Sequence, residues 1–493
     1  MKKSKWHKHH KWFGLAVAFF MLSFCLSGVI LNHRSLFKNV NVSRKWLPAR
    51  YEYKDWNGGL LRGTAVTIDD DSVRQVLIYG NSGIFSANSD ASYVEDFNRG
   101  LPDGADYRQI RNVVQTKQGD IFAVSPFGLY RHGIHAGWQN VPLPVDGEEK
   151  LTDMATHGDT LVVLGRSDVY VSTPPYRHFR RIELKAPDGY DGRVSLFRTV
   201  WMLHSGELLG TVGKLIVDAV AVALLVLCIT GVACWLMPKE VKREHRNGGK
   251  AHNSSALMRF SYLWHNRVGR TTIVLTLLVA ITGWCLRPPV LIFLALNKVP
   301  SIPGTTLHSP NPWNDKLRMV RYDDAFGDWL LSTSEGFYSL KTLDSVPVKL
   351  YDVPPVSVMG LNVWQKDTQG RWLCGSFSGM FVWERASGRS VDYFTGKPAP
   401  KKAGAPFGQK AVSGYSADLG KKNFVVEYYE GTNAIPQPTE LSSLPMSLWN
   451  VALEVHSGRI FIGQLATMVF VFIIGAMAVW CLWTGYRIRR KSK

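Results

Sequence analysis

The chain has 493 residues, 46% of them apolar and 12% aromatic, which is more material than one compact domain needs. Its net charge of +19 raises the question of nucleic acid. The basic residues, however, sit beside long apolar stretches, which argues against a nucleic-acid partner and against a purely soluble class.

Four apolar stretches, 12–31, 215–237, 271–286 and 460–483, organise the chain. At about 1.5 Å per residue most of them reach the roughly 30 Å of a bilayer core. The third is short and ends at Arg287, Pro288 and Pro289. Taken in order, the sequence predicts a basic tail (1–11), a first transmembrane helix (12–33), a β-rich segment (34–197), a second helix (198–237), a loop (238–262), a third helix (263–287), a second β-rich segment (288–446), a fourth helix (447–486) and a tail (487–493). Lys2, Lys3, Lys5, Lys8 and Lys11 precede the first span; Lys239, Lys242, Arg243, Arg246, Lys250 and Arg259 lie between the second and third; Arg487, Arg489, Arg490, Lys491 and Lys493 follow the fourth. With four spans all three clusters share one side, and the positive-inside rule makes it cytoplasmic. Both termini are then expected inside and both β-rich segments outside, in a multi-pass protein of a bacterial inner membrane. No small-residue cleavage site follows Leu31, where Asn32, His33 and Arg34 stand, so the first span reads as a retained anchor. Five of the six cysteines lie in spans and only Cys374 lies outside, which offers no intradomain disulfide.

The spans repeat. His10, Gly14, Ser27 and Gly28 match His265, Gly269, Thr282 and Gly283 at identical separations, and Leu203-His204-Ser205-Gly206 matches Val455-His456-Ser457-Gly458. Each half is one helix with a histidine at its inner end, an outside segment, and a returning helix with a histidine at its outer end, as in parallel membrane repeats. The outside segments carry a second repeat. A strand-like run, a turn and a small-apolar-aromatic triplet recur at 76–85, 121–130, 161–170, 329–338 and 372–381. Triplets within a segment are spaced by roughly 40 to 45 residues, the period of a propeller blade. The fold class expected is membrane α + β: a four-helix transmembrane bundle with two β-rich segments, forming either one split propeller-like domain or two separate antiparallel sheets.

Four histidines at repeat-related positions are what two bis-histidine haems in a helical bundle require, because neutral imidazole is a common haem ligand. His10 with His265 would hold a cytoplasmic-side haem b and His204 with His456 an extracytoplasmic-side one. The glycines two positions after His204 and His456, and four after His10 and His265, would leave room for a flat macrocycle. Any one interfacial histidine is better read as an amphipathic anchor; four in matched pairs reverse that judgement. His33 has Pro288 as its repeat counterpart, so it is either an alternative outer ligand or a substrate-facing residue. Asp218, 14 positions beyond His204, is an intramembrane acid expected on the same helical face between the haem levels. Arg198, Lys214 and Arg459 near the outer pair, and Arg259, Arg267 and Arg270 near the inner pair, are candidate propionate partners or interfacial anchors. His132, His135, His157, His178 and His308 share no metal-ligand spacing.

These residues resemble the PepSY-associated transmembrane helix family: His10-Lys11-Trp12-Phe13-Gly14, Ser27-Gly28 and Leu31-Asn32-His33 in span one, the His-Ser-Gly starts of spans two and four, and Thr230-Gly231. The resemblance is confined to the four helices. Members include siderophore-iron reductases of the bacterial inner membrane with b-type haems near both faces, and the resemblance implies electron transfer to a periplasmic ferric, siderophore-type complex. No G-x-G-x-x-G after a strand and no P-loop is present, so electrons would come from a quinol or a cytoplasmic flavoprotein. The alternatives from the residues alone are a non-catalytic binding or sensory protein, and a transporter-associated subunit. Membrane lipid is a partner in every case.

Overall fold

The computed structural model describes residues 3–68, 74–145, 147, 149–357, 359–403, 410–420 and 422–490. Of the basic clusters, Lys2, Lys491 and Lys493 lie outside the described residues. The chain separates into two compact units. One comprises 1–37, 191–309 and 448–493; the other comprises 38–190 and 310–447.

The first unit is helical. Its helices are α1 (Lys3–Asn32), α2 (Arg34–Phe37), α3 (Leu196–Ser205), α4 (Gly210–Arg246), α5 (His252–Cys285), α6 (Val290–Leu296), α7 (Leu448–His456) and α8 (Gln464–Arg490). Among the described residues four stretches are long and apolar enough to cross a membrane: Ser4–Asn32, Glu207–Arg246, His252–Cys285 and Ala466–Ile488. The chain is a multi-pass membrane protein. In the bundle α1 packs on α4 and α8, and α5 packs on the same two helices, so α1 and α5 lie diagonally opposite. The middle of the bundle is apolar, with Cys25, Val220 and Leu224 buried against Met21, Leu227, Val279 and Leu482.

The second and fourth spans depart from the single helices expected. Gly206 adopts φ 82° and ends α3, after which a 3₁₀ turn, Glu207–Leu209, leads into α4. Gly458 does the same after α7, with φ 79°. Both conformations favour glycine and close a helix. The glycines two positions after His204 and His456 therefore terminate short helices. Each of those histidines is the last or next-to-last residue of a short helix that is separate from the membrane-spanning one.

The second unit is built from small antiparallel sheets. Four-stranded sheets occupy 63–96, 112–141, 151–182, 317–350 and 361–392, and a two-stranded sheet occupies 412–427. The five recurrent decapeptides supply the two middle strands of the four-stranded sheets. Their turns are tight: Gly80 pairs with Gly83, Thr333 with Gly336 and Ser376 with Gly379. Gly83, Gly336 and Gly379 have φ of 122°, 122° and 121°, a backbone region open to glycine. The sixth sheet has only two strands among the described residues, so there is no closed propeller of equal blades.

Apolar clusters join neighbouring sheets. Leu164 and Val169 meet Leu331 and Tyr338 across the two chain segments, and Val76 and Phe85 meet Phe424 and Val426. Neither segment could bury these faces alone, and both belong to one compact unit. One polar network is also enclosed. Asp323 accepts from Lys366 (2.8 Å), Arg385 (3.0 Å) and the Trp372 indole (3.1 Å), and Arg385 donates on to Asp328 (2.6 Å). Burial alone would raise the Asp323 pKa, but the hydrogen bonds from Lys366, Arg385 and Trp372 outweigh it and hold the carboxyl below the usual carboxylate value.

Candidate functional site

The helical unit brings four of the five candidate histidines together in two pairs. His10, on the third turn of α1, and His265, on α5, have ring centroids 5.9 Å apart. His204 and His456, at the ends of α3 and α7, have centroids 6.1 Å apart. Two imidazoles bound to one metal ion from opposite sides, with bonds of about 2 Å, have centroids roughly 6 Å apart. Both separations fit that arrangement. Along α1, His10 and Gly28 mark the two levels, and 18 residues at about 1.5 Å each place them roughly 27 Å apart, close to the thickness of a bilayer core.

Each ring is held by the same device from a neighbouring helix. His456 Nδ1 lies 3.0 Å from the Phe24 carbonyl and 3.2 Å from Ser27 Oγ. His204 Nδ1 lies 3.0 Å from the Val279 carbonyl and 3.3 Å from Thr282 Oγ1. His10 Nδ1 lies 2.9 Å from the Cys481 carbonyl and 3.5 Å from Thr484 Oγ1. His265 Nδ1 lies 3.1 Å from Thr230 Oγ1. The four hydroxyls donate to carbonyls of their own helices: Ser27 to Ser23 (2.7 Å), Thr282 to Leu278 (2.8 Å), Thr484 to Cys481 (2.8 Å) and Thr230 to Val226 (2.6 Å). Their oxygens are therefore acceptors toward the imidazoles. With acceptors on every side of Nδ1, that nitrogen carries the proton, and Nε2 is left as the lone-pair nitrogen of a neutral imidazole. This is the outer-shell contact that orients a metal-binding histidine.

A glycine follows each hydroxyl residue and gives the ring its seat. An added Cβ would fall 3.3 Å from His456 Cε1 at Gly28, 2.6 Å from His204 Cε1 at Gly283, 3.0 Å from His10 Cε1 at Gly485 and 3.3 Å from His265 Cε1 at Gly231. The seats are thus Ser27-Gly28, Thr282-Gly283, Thr484-Gly485 and Thr230-Gly231. Gly14 and Gly269, read from the sequence as cofactor clearance, instead face Cys481 and Leu227. The Thr484-Gly485 seat has no counterpart at constant offset in the sequence, because Thr484 follows His456 by 28 positions where Thr230 follows His204 by 26. The register between halves slips where the short helices break from the spans.

His33 is placed elsewhere. Its Nε2 lies 2.6 Å from Asp218 Oδ2, and the Asn32 amide donates to the Ser205 carbonyl (3.0 Å) and to Asp218 Oδ1 (3.4 Å). Asp218 is therefore level with the end of α3, beside the outer pair, and not midway between pairs. His204 and Asp218 belong to different helices, α3 and α4, so no single helical face relates them. Of the basic candidates, Arg459 pairs with Glu454 (2.5 Å) and Lys214 lies 3.9 Å from Glu207. Arg287, read only as the end of span three, donates to the His456 carbonyl (3.2 Å). Its signal in the sequence is an arginine closing an apolar run. Arg259, Arg267 and Arg270 line one groove on α5 that His265 does not line; at 3.6 residues per turn they point roughly 140° away from it.

The remaining histidines are dispersed. His132 stacks on Phe97 (4.6 Å), His157 on Tyr322 (3.3 Å), and His308 meets Ser301 (3.2 Å). Among the described residues no group of three or more His, Cys, Asp or Glu is arranged to hold a metal ion.

The PepSY-associated TM region family matches residues 7–491. No curated protein matches the chain. Two solved structures of an extracellular domain from B. thetaiotaomicron are similar at 11% identity and a TM-score of 0.24 each. One, described as from a one component system, is covered over 67% of this chain and 35% of its own; the other, described as from a hybrid two component system, over 68% and 35%. The chain thus spans about a third of their length.

Proposed function

The chain belongs to the PepSY-associated TM region family, and from that premise we propose that its helical unit is a di-haem b conduit carrying single electrons across the bacterial inner membrane. The acceptor proposed is a periplasmic ferric complex of siderophore type, and the donor a quinol or a cytoplasmic flavoprotein. One observation carries the reading: two imidazole pairs, about a membrane thickness apart, each ring fixed as the Nδ1–H tautomer over a glycine. His10 and His265 would hold one haem and His204 and His456 the other. Bound there, haem iron supplies reversible one-electron chemistry at a potential tuned by its surroundings.

The chain's own residues do the positioning. Ser27, Thr230, Thr282 and Thr484 hold the rings, and the glycines beside them let the rings lie close to the helix backbone. Arg287 adds positive charge beside the outer pair, which favours an anionic group there. The His33–Asp218 pair next to Ser205 places an imidazole in hydrogen-bond contact with a carboxylate near the same level. The sheets of the second unit, joined by shared apolar clusters, support reading it as one split, propeller-like periplasmic domain that meets the ferric complex.

The test is the visible spectrum and haem stoichiometry of purified protein. Two haems per chain are expected, one lost in His10→Ala or His265→Ala and the other in His204→Ala or His456→Ala. Two haems surviving in the His204→Ala, His456→Ala double variant would sink the assignment. Pre-reduced protein should be reoxidised by a ferric chelate; inertness toward a range of ferric complexes would leave the conduit but remove the acceptor.

A further inference from the structure

The groove on α5 is not used by either histidine pair. It is a cavity of about 660 Å³ lined among others by Arg259, Tyr262, Asn266, Arg267, Arg270 and Thr271, and among the described residues its lining holds three arginines and no acid. All six side chains are exposed. Toward the bundle middle the same helical face turns apolar and stays uncovered: Val274 is 75% exposed, Leu278 40% and Ile281 41%. These residues follow Arg270 at intervals of four, four and three, the spacing of one stripe on an α-helix. Within a span that another protein element does not cover, such a stripe meets acyl chains. The basic part gives way to the apolar part between Arg270 and Val274, and guanidinium side chains there lean back toward the start of α5, where long basic side chains reach the headgroup level. Trp264, with the Arg267 guanidinium 5.9 Å from its ring, adds an aromatic at the same interface.

We propose that this face is a binding site for an anionic phospholipid, its phosphate held between Arg267 and Arg270, with Asn266 and Thr271 as further hydrogen-bonding groups and its acyl chains along Val274, Leu278 and Ile281. The site lies at the membrane face where α4 ends and α5 begins. Charge complementarity selects the headgroup, since guanidinium groups bind phosphate oxygens through paired N–H donors, and basic grooves beside membrane helices take anionic lipids on these terms. The apolar continuation commits the site to a lipid rather than to a free anion. Such a lipid would brace α5 on the side opposite His265.

The test uses the full chain in detergent, with phosphatidylglycerol, phosphatidylcholine and inorganic phosphate as separate probes and native mass spectrometry as the readout. Phosphatidylglycerol should bind in preference to phosphatidylcholine. The Arg267→Gln, Arg270→Gln double variant should weaken it roughly thirtyfold, at about fivefold for each basic residue near an anionic surface. A loss below threefold overturns the proposal, as does displacement of the lipid by millimolar inorganic phosphate, which would mark a simple anion site. A readout on the unmodified protein covers failure of the variant to fold. In nanodiscs, Arg267 and Arg270 should be protected from phenylglyoxal by phosphatidylglycerol and not by phosphatidylcholine; equal labelling in both refutes the site. Neither measurement depends on haem content.

Discussion

Replacing Gly283 by alanine puts the seat geometry to a quantitative test. Alanine is favoured over glycine inside a helix by about 1 kcal/mol, so Gly→Ala in a spanning helix stabilises unless the new methyl meets something that cannot move. At Gly28 and Gly231 the added Cβ would lie 3.3 Å from the facing imidazole carbon, a gap closed by a few tenths of an ångström of ring movement. At Gly283 it would lie 2.6 Å from His204 Cε1 and 3.2 Å from Nδ1, so the ring must leave its position or the helices must part. Overpacking of this kind costs about 1–3 kcal/mol. It also breaks the bond from Nδ1 to the Val279 carbonyl, 3.0 Å as it stands, worth about 1 kcal/mol. The clash outweighs the propensity gain at Gly283, and the reverse holds at Gly231. On the proposed di-haem reading, haem affinity of the outer pair should fall roughly 5- to 150-fold in Gly283→Ala, the equivalent of about 1–3 kcal/mol, while Gly231→Ala leaves the inner pair within threefold. Haem titration of apoprotein, with the Tm of the apoprotein as a cofactor-free measure, reads both. Equal effects at the two glycines, or a larger one at Gly231, would refute the argument that these residues seat the rings.

Thr230→Val should loosen the inner pair more than Thr484→Val, because Thr230 Oγ1 is 3.1 Å from His265 Nδ1 whereas Thr484 Oγ1 is 3.5 Å from His10 Nδ1, which also has the Cys481 carbonyl; on the proposed di-haem reading, the inner midpoint should shift more in Thr230→Val than in Thr484→Val, with the outer midpoint as the internal reference. Asp323→Asn should cost the β-rich unit about 3 kcal/mol, the loss expected when one partner of a buried charge network is removed, measured by urea unfolding. Because the folded pKa of Asp323 is depressed, its stabilisation is fully present above the unfolded carboxylate value of about 4 and is lost as pH falls through the lower folded value. The gap between wild type and variant should therefore stay constant near neutrality and close only in acid. Residues 38–190 or 310–447 expressed alone should unfold without a sharp transition, since the clusters around Leu331 and Phe424 draw on both segments; independent cooperative transitions would contradict this.

The four spans, the basic flanks and the two histidine pairs were legible in the sequence because each rests on a one-dimensional signal: an uninterrupted apolar run, a charge beside it, or a repeat at constant offset. The paired strands at 76–85 and 372–381 were legible for the same reason, through a local turn and alternation. What the sequence could not carry is contact between helices that are hundreds of residues apart. The glycines nearest the histidines in sequence, Gly206 and Gly458, are helix terminators, whereas the ring seats at Gly28, Gly231, Gly283 and Gly485 come from other helices and are selected by bundle packing. His33 and Asp218 carry no spacing signal, and only the break at Gly206, which detaches His204 from the helix bearing Asp218, lets the acid lie against His33. Periodicity reports what one helix or strand presents; which side chain answers it is decided when elements distant in the chain are packed together, and that choice is made by close contact and hydrogen bonding in three dimensions.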